Sequence, residues 1–194
     1  ANNGVIFIES ARKATHFIQL ANKSDIPLLF IHNTTGFMVG KKHEQNGMIN
    51  AGSQLVHAVA GSTVPHISLQ VGNSYGAGNY AMCGRSFNPR FLFSYPNSKS
   101  GVMGADQLAG VMEIVKRKSA ESLNKDIDEK LLLEEKRNLA EQAEKKASVW
   151  HTTSEVWDDG VIDPRDTRKY LSLAISAVYN NTIKGTDSFG VFRM

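Results

Sequence analysis

The sequence predicts an α/β fold with crossover connections, and three observations carry that prediction. Short β-branched runs alternate with longer stretches of helical period between Gly4 and Tyr95. Among them, Pro27-Leu28-Leu29-Phe30-Ile31 is continuously apolar and too short for a helix. Two of the predicted strands end in glycine-rich turns that lead into helices, the arrangement in which open α/β sheets place their ligands.

Taken in order, Val5-Ile6-Phe7-Ile8 reads as a strand, and Ser10 is placed to cap a helix running to about Asn22. Ala14, Phe17, Ile18 and Ala21 share one face of that helix at i, i+3, i+4 and i+7 spacing. The run from Pro27 to Ile31 is expected to be a central strand buried on both faces. After a polar loop from His32 to Gly40, a helix is expected from about His43 to Ala60. Met48, Leu55, Val56 and Val59 form its apolar stripe, and Gly47, Ala51 and Gly52 permit close approach. Pro65 to Val71 alternates as a third strand and enters the small-residue turn Gly72 to Gly78, followed by a short helix through Met82.

From Val111 to Asp159 the chain has neither Gly nor Pro, and nine acidic and nine basic side chains interleave between Met112 and Ser148. This reads as a long, solvated helical arm, spanning residues 111-150, with Leu123, Ile127 and Leu131 as one possible seam. Trp157 to Pro164 ends it, with Gly160 available for positive φ and Pro164 placed to start another helix over Asp166 to Asn180. The tail after Asn181 is expected to be surface-bound or loosely ordered.

Composition narrows the function classes. With 194 residues, 41% hydrophobic and 21% charged, the chain suits one globular domain and excludes collagen, disorder and a disulfide-stapled miniature. The net charge of +3 is spread along the chain, so a nucleic-acid partner is not expected. Cys83 is the single cysteine and closes no intrachain disulfide, which leaves a reducing compartment as the default. No apolar run approaches the ~20 residues of a membrane span. The start has no signal-peptide pattern and no initiator Met, which suggests a processed product or a piece of something longer.

The two glycine turns carry the chemistry. A Gly-rich turn entering a helix points free N–H groups and a positive dipole end at whatever lies in front. Gly76-Ala77-Gly78 and Thr35-Gly36-Phe37 therefore form two donor clusters able to act as an oxyanion hole, worth ~3 to 4 kcal/mol per donor. Tight-turn sterics alone would also explain the glycines. Gly72-Asn73-Ser74-Tyr75-Gly76 matches G-x-S-x-G, so Ser74 is a candidate hydrolase nucleophile, although His151 is the only histidine that follows it. A non-catalytic assembly module, using the charged arm, is a further alternative. The remaining histidines show no metal-ligand spacing, and no metal is assigned.

Several long stretches resemble the β subunit of biotin-dependent acyl-CoA carboxylases, most closely the methylcrotonyl-CoA and geranyl-CoA type. They are Asn33-Thr34-Thr35-Gly36-Phe37-Met38-Val39-Gly40, the run from Ser74 through Arg85, Pro89-Arg90-Phe91-Leu92, Trp157 through Arg168, and Phe189-Gly190-Val191-Phe192-Arg193-Met194. The resemblance covers nearly the whole chain and implies the crotonase fold, built from repeated ββα units. It implies that residues 1-194 correspond to the carboxyl-terminal, carboxybiotin-binding domain, with the amino-terminal acyl-CoA domain absent. The implied reaction is carboxyl transfer from carboxybiotin, held on a carrier domain, to an acyl-CoA.

Carried over by motif, the amides of Gly36, Phe37, Gly76 and Ala77 would face the biotin ureido oxygen, with Thr35, Tyr75, Gly78 and Asn79 around the cofactor. Ser74 is then a turn residue with a local hydrogen bond. The implied partners are the amino-terminal domain of a second β subunit and a biotin-carrying α subunit, in a hexamer, located in bacterial cytoplasm or the mitochondrial matrix. The arm is the least recognisable part, and no functional residue is drawn from it.

Overall fold

The computed structural model describes residues 2–192; Ala1 and the Arg193-Met194 end of the last motif lie outside the described residues. A central parallel sheet is built on β4 (His66–Tyr75). One edge of β4 pairs with β2 (Leu28–Thr34), and its other edge carries β5 (Phe91–Ser94) and β6 (Lys99–Gly101) in succession. The short β7 (Gly160–Val161) adds beyond β5. A separate two-stranded parallel ladder joins β1 (Val5–Ile6) to β3 (Gly36–Phe37).

Helices α1 (Ile8–Lys23) and α3 (Met48–Gly61) cover one sheet face, with Ala11, Ile18, Leu55 and Val59 packed against Leu28 and Phe30. The opposite face is covered by α8 (Thr167–Val178), where Ala174 meets Ile67, Leu69 and Phe93. Ile18 and Ala21 of the expected α1 face, and Met48, Leu55 and Val59 of the α3 stripe, are thus buried.

Several boundaries depart from the sequence reading. The first strand stops at Ile6, and Ser10 sits inside α1, three residues past the boundary residue Phe7. Its hydroxyl accepts the Phe7 N–H at 2.7 Å and donates to the Phe7 carbonyl at 2.8 Å, so it closes the helix start from within. Phe17 points outward at 64% exposure, while Thr15 and Asn22 are buried in its place. Both bond the carbonyl four residues back, which satisfies their polar atoms inside the core.

Strand β2 is an edge strand, not a central one. Leu28, Phe30, His32 and Thr34 are buried, whereas Leu29 and Ile31 are 41% and 53% exposed. A continuously apolar run shows that both faces can be covered, not that they are; among the described residues only one is. The helix expected from His43 is split at Gly47, which takes φ +93° between α2 (Lys41–Gln45) and α3. Strand β4 runs four residues beyond the expected Val71, so Ser74 and Tyr75 belong to the strand and not to the turn. Its residues from His66 to Gln70 are buried on both faces, which makes β4 the central strand.

The arm is a hairpin of α5 (Ala105–Ser122) and α6 (Glu129–Ala147), broken at residues 123–128, followed by α7 (Val149–Ser154). Asp128 begins α6 by accepting the Lys130 and Leu131 N–H groups. Leu123 and Leu131 are exposed, so the expected seam does not form; Ala109, Leu132 and Ala147 are the buried residues of the two helices. Charge joins the two helices instead: Arg117 makes a two-pronged contact with Glu129 at 2.7 and 2.8 Å, and Lys136 reaches Glu113 at 2.9 Å. No helix among the described residues is long and apolar enough to cross a membrane.

The tail over residues 181–192 docks on the α3 side of the core. Ile183, Phe189 and Phe192 pack there, and His57 Nε2 lies 2.6 Å from the Phe189 carbonyl oxygen.

Candidate functional site

Two neighbouring parallel strands, β2 and β4, deliver the two glycine turns to the same end of the sheet, in the register Thr34 opposite Ser74. Gly36 takes φ +133° and Gly76 φ +53°, both in the region that favours glycine. Gly76 opens the short helix α4 (Gly76–Ala81). A Cβ on Gly78 would lie 3.1 Å from the Gly36 Cα and 3.1 Å from the Thr34 methyl carbon. The two turns therefore touch, and only the missing side chain at position 78 lets them do so.

That contact makes a stability prediction. Gly78→Val should separate the turns and cost about 1 to 3 kcal/mol, as overpacked sites do. Gly110→Ala in α5, where a Cβ meets nothing within 4 Å, should instead stabilise by about 0.5 to 1 kcal/mol. Denaturant titration of both variants checks the pair, and equal behaviour would mean that the turns are not in contact.

Donors are unevenly available in this region. The Gly36 N–H is directed at the Thr34 hydroxyl oxygen at 3.2 Å, and that hydroxyl donates to the Gly4 carbonyl at 2.7 Å. Met38 donates to Ile6 across the β1–β3 ladder at 2.9 Å, so strand alternation turns the Phe37 N–H to the other edge. The Phe37 ring itself belongs to the core, against Gly52. In α4, Tyr75 supplies no side-chain cap, and the first-turn amides have no acceptor one helical turn back.

Gly76, Ala77 and Asn79 line a cavity of about 590 Å³, together with Arg85, Trp157 and Asp158. Thr35 and Tyr75 line a different cavity, of about 650 Å³, beside Lys99 and Glu144. Gly36 and Gly78 form the contact between the turns. The structure thus gathers Gly76, Ala77 and Asn79 on one wall and places Thr35 and Tyr75 elsewhere. Tyr75 is buried next to Gly101, and burial pushes its phenol pKa up.

The serine of the G-x-S-x-G match is fully buried inside β4. Its hydroxyl lies 2.9 Å from His32 Nδ1 and accepts the Asn79 side-chain N–H at 2.8 Å. The network assigns the Ser74 proton to His32 Nδ1, which leaves the histidine hydrogen on Nε2. Among the described residues Nε2 has no hydrogen-bond partner of good geometry, and the nearby Met82 backbone offsets only part of the burial. Burial lowers the His32 pKa to about 4, so the ring is neutral at pH 7.

A sealed serine whose third partner is an amide, not a carboxylate, is not set up as a nucleophile. The chain His32–Ser74–Asn79 instead ties the first turn of α4 to β2. Sequence order hid this contact, because an elbow hydrolase places its histidine after the serine; the register shift between His32 and Thr34, which sets Thr34 opposite Ser74, is the signal that reveals it. No cluster of three or more His, Cys, Asp or Glu side chains suited to a metal is present among the described residues.

The fold and this pair of turns define a class, the crotonase-like carboxyltransferases, to which the similar solved structures belong. The β subunit of geranyl-CoA carboxylase from P. aeruginosa superposes with a TM-score of 0.83 at 44% identity, over 97% of this chain and 36% of that one. The transcarboxylase 12S core, at 23% identity, shares the fold with a TM-score of 0.80 over 98% of this chain and 35% of its own.

The carboxyl transferase domain family matches residues 1–192, and the chain belongs to that family. A probable biotin-dependent acyl-coenzyme A carboxylase beta2 subunit of Mycobacterium tuberculosis is 54% identical over 98% of this chain. The mitochondrial methylcrotonoyl-CoA carboxylase beta chain of Dictyostelium discoideum is 46% identical over 100% of it. The chain spans 36% and 33% of the lengths of these two relatives.

Proposed function

We propose that this chain is the carboxybiotin-side domain, residues 1–194, of an acyl-CoA carboxylase carboxyltransferase subunit. The observation that carries the reading is the contact of two glycine turns from parallel strands beside a cavity walled by Gly76 and Ala77. Its volume, about 590 Å³, falls within the range of small-molecule sites. Carboxybiotin supplies an activated carboxyl group there. The Gly76 and Ala77 amides would hold its ureido oxygen and favour negative charge there, and the dipole of α4 would act in the same sense.

Of the proposed donors, Gly36 is occupied by Thr34 and serves the site through its contact with Gly78. Asn79 holds the α4 turn in place through Ser74 and His32. The acyl-CoA, of the methylcrotonyl-CoA type, binds on the amino-terminal domain of a second β subunit, and a biotin-carrying α subunit delivers the carboxyl group within a hexamer. The compartment follows the host: bacterial cytoplasm, or the mitochondrial matrix in a eukaryote.

Titration of this chain with a biotinylated carrier domain and with the same carrier lacking biotin tests the reading. Only the biotinylated carrier should bind, and the chain alone should turn over no methylcrotonyl-CoA. Equal binding of both carriers, or robust turnover by the isolated chain, would refute the assignment.

A further inference from the structure

One residue on the wall of the Ala77 cavity carries a buried polar atom that has no role in the site described so far. Asp158 is 6% exposed and lies on the wall of the cavity that Gly76 and Ala77 also line. Its Oδ1 accepts the Thr153 hydroxyl at 2.8 Å. Its Oδ2 is buried and, among the described residues, has no hydrogen-bond partner. Buried carboxylate oxygens are normally satisfied, so an orphan at a cavity calls for a ligand donor.

The surrounding chain fixes this side chain in place. Asp159 donates its N–H to the Leu92 carbonyl at 2.7 Å and accepts the Leu92 N–H at 2.7 Å through its own carboxylate, pinning the segment to β5. Just upstream, Val156 holds φ +59°, a conformation that β-branched residues rarely adopt. Among the described residues His32 Nε2 is the other buried side-chain atom without a partner, but His32 does not line this cavity.

We propose that Asp158 is the acceptor for a ring N–H of the cyclic urea of biotin. The proposal rests on the carboxybiotin reading above and assigns the site a residue that reading did not contain. A cyclic urea presents one carbonyl oxygen flanked by two nitrogens. Amide donors satisfy the oxygen, and a carboxylate oxygen, an acceptor, satisfies an N–H. In carboxybiotin one ring nitrogen bears the carboxyl group and the other keeps its hydrogen. An acceptor for the second nitrogen fixes which way round the ring sits and so which way the transferable carboxyl group points.

The test measures dissociation constants of biotin methyl ester and of its analogue methylated at the ring nitrogen that does not take the carboxyl group. Wild-type protein should bind the parent ester and discriminate against the methylated analogue by roughly ten- to a hundredfold, as charge-assisted hydrogen bonds do. Asp158→Asn puts an N–H where Oδ2 stood; it should weaken parent-ester binding by about the same factor and abolish the discrimination.

Wild-type binding that Asp158→Asn leaves unchanged would overturn the Asp158 assignment and leave the carboxybiotin reading standing. Absence of wild-type binding to the parent ester would overturn both. Should Asp158→Asn fail to fold, the wild-type comparison decides alone: equal affinity for the two esters overturns the assignment.

Discussion

Acidification from pH 7 to pH 4 is expected to destabilise this chain severely through two buried histidines. Burial lowers His32 and His66 to about 4 each. In the unfolded chain both return to about 6.5. Below pH 6.5 the unfolded state therefore takes up protons that the folded state refuses, and stability falls as pH drops towards 4. Above pH 6.5 both states are neutral and the effect vanishes.

Each histidine contributes of order 3 kcal/mol by pH 4, a large share of the 5 to 15 kcal/mol available to an ordinary domain. The partners do not relieve this: His66 sits between Ser62 at 2.8 Å and Cys83 at 3.2 Å, and neither is an anion able to hold a protonated ring. The burial that lowers His66 also pushes the Cys83 thiol up to about 12, so no thiolate forms beside it near neutrality. The exposed ion pairs of the arm hairpin add little, since solvent screens them. Denaturant midpoints followed from pH 7 to pH 4.5 check the sign, and a flat profile would show that the two rings are not desolvated as described.

Ala77→Pro, in the assembled carboxylase carrying this chain, is expected to lower the carboxylation rate by about 10²- to 10³-fold. Proline removes one N–H from the wall of the cavity. At the second residue of α4 that N–H has no helical acceptor, and proline is tolerated in a first turn, so the substitution deletes a donor without breaking the helix. Gly76, immediately before it, has the freedom to accommodate the ring at φ +53°. Steady-state rates with acyl-CoA and bicarbonate, alongside a circular-dichroism check of folding, make the comparison. An undiminished rate in a folded variant would remove the Ala77 amide from the mechanism.

The sequence by itself determined the α/β class, the two glycine turns, the break at Gly160 and Pro164, and the family. Each of these is a local signal: a hydrophobic period, a residue able to take positive φ, or a run of side chains in order. The short strands Phe91–Ser94 and Lys99–Gly101 escaped, because they are defined by pairing with β4 and not by any period of their own. The arm hairpin escaped for a related reason, since every-fourth-residue spacing at Leu123, Ile127 and Leu131 continues unbroken through the turn that separates the helices.

Only the tertiary structure decided that β2 lies at an edge, that His32 meets Ser74 across 42 residues, and that Thr35 and Tyr75 face a cavity other than that of Ala77. It alone exposed the unsatisfied oxygen of Asp158. The period of a sequence records which face of an element is apolar. What covers that face, and which polar atoms are left without a partner, is settled when distant segments pack together.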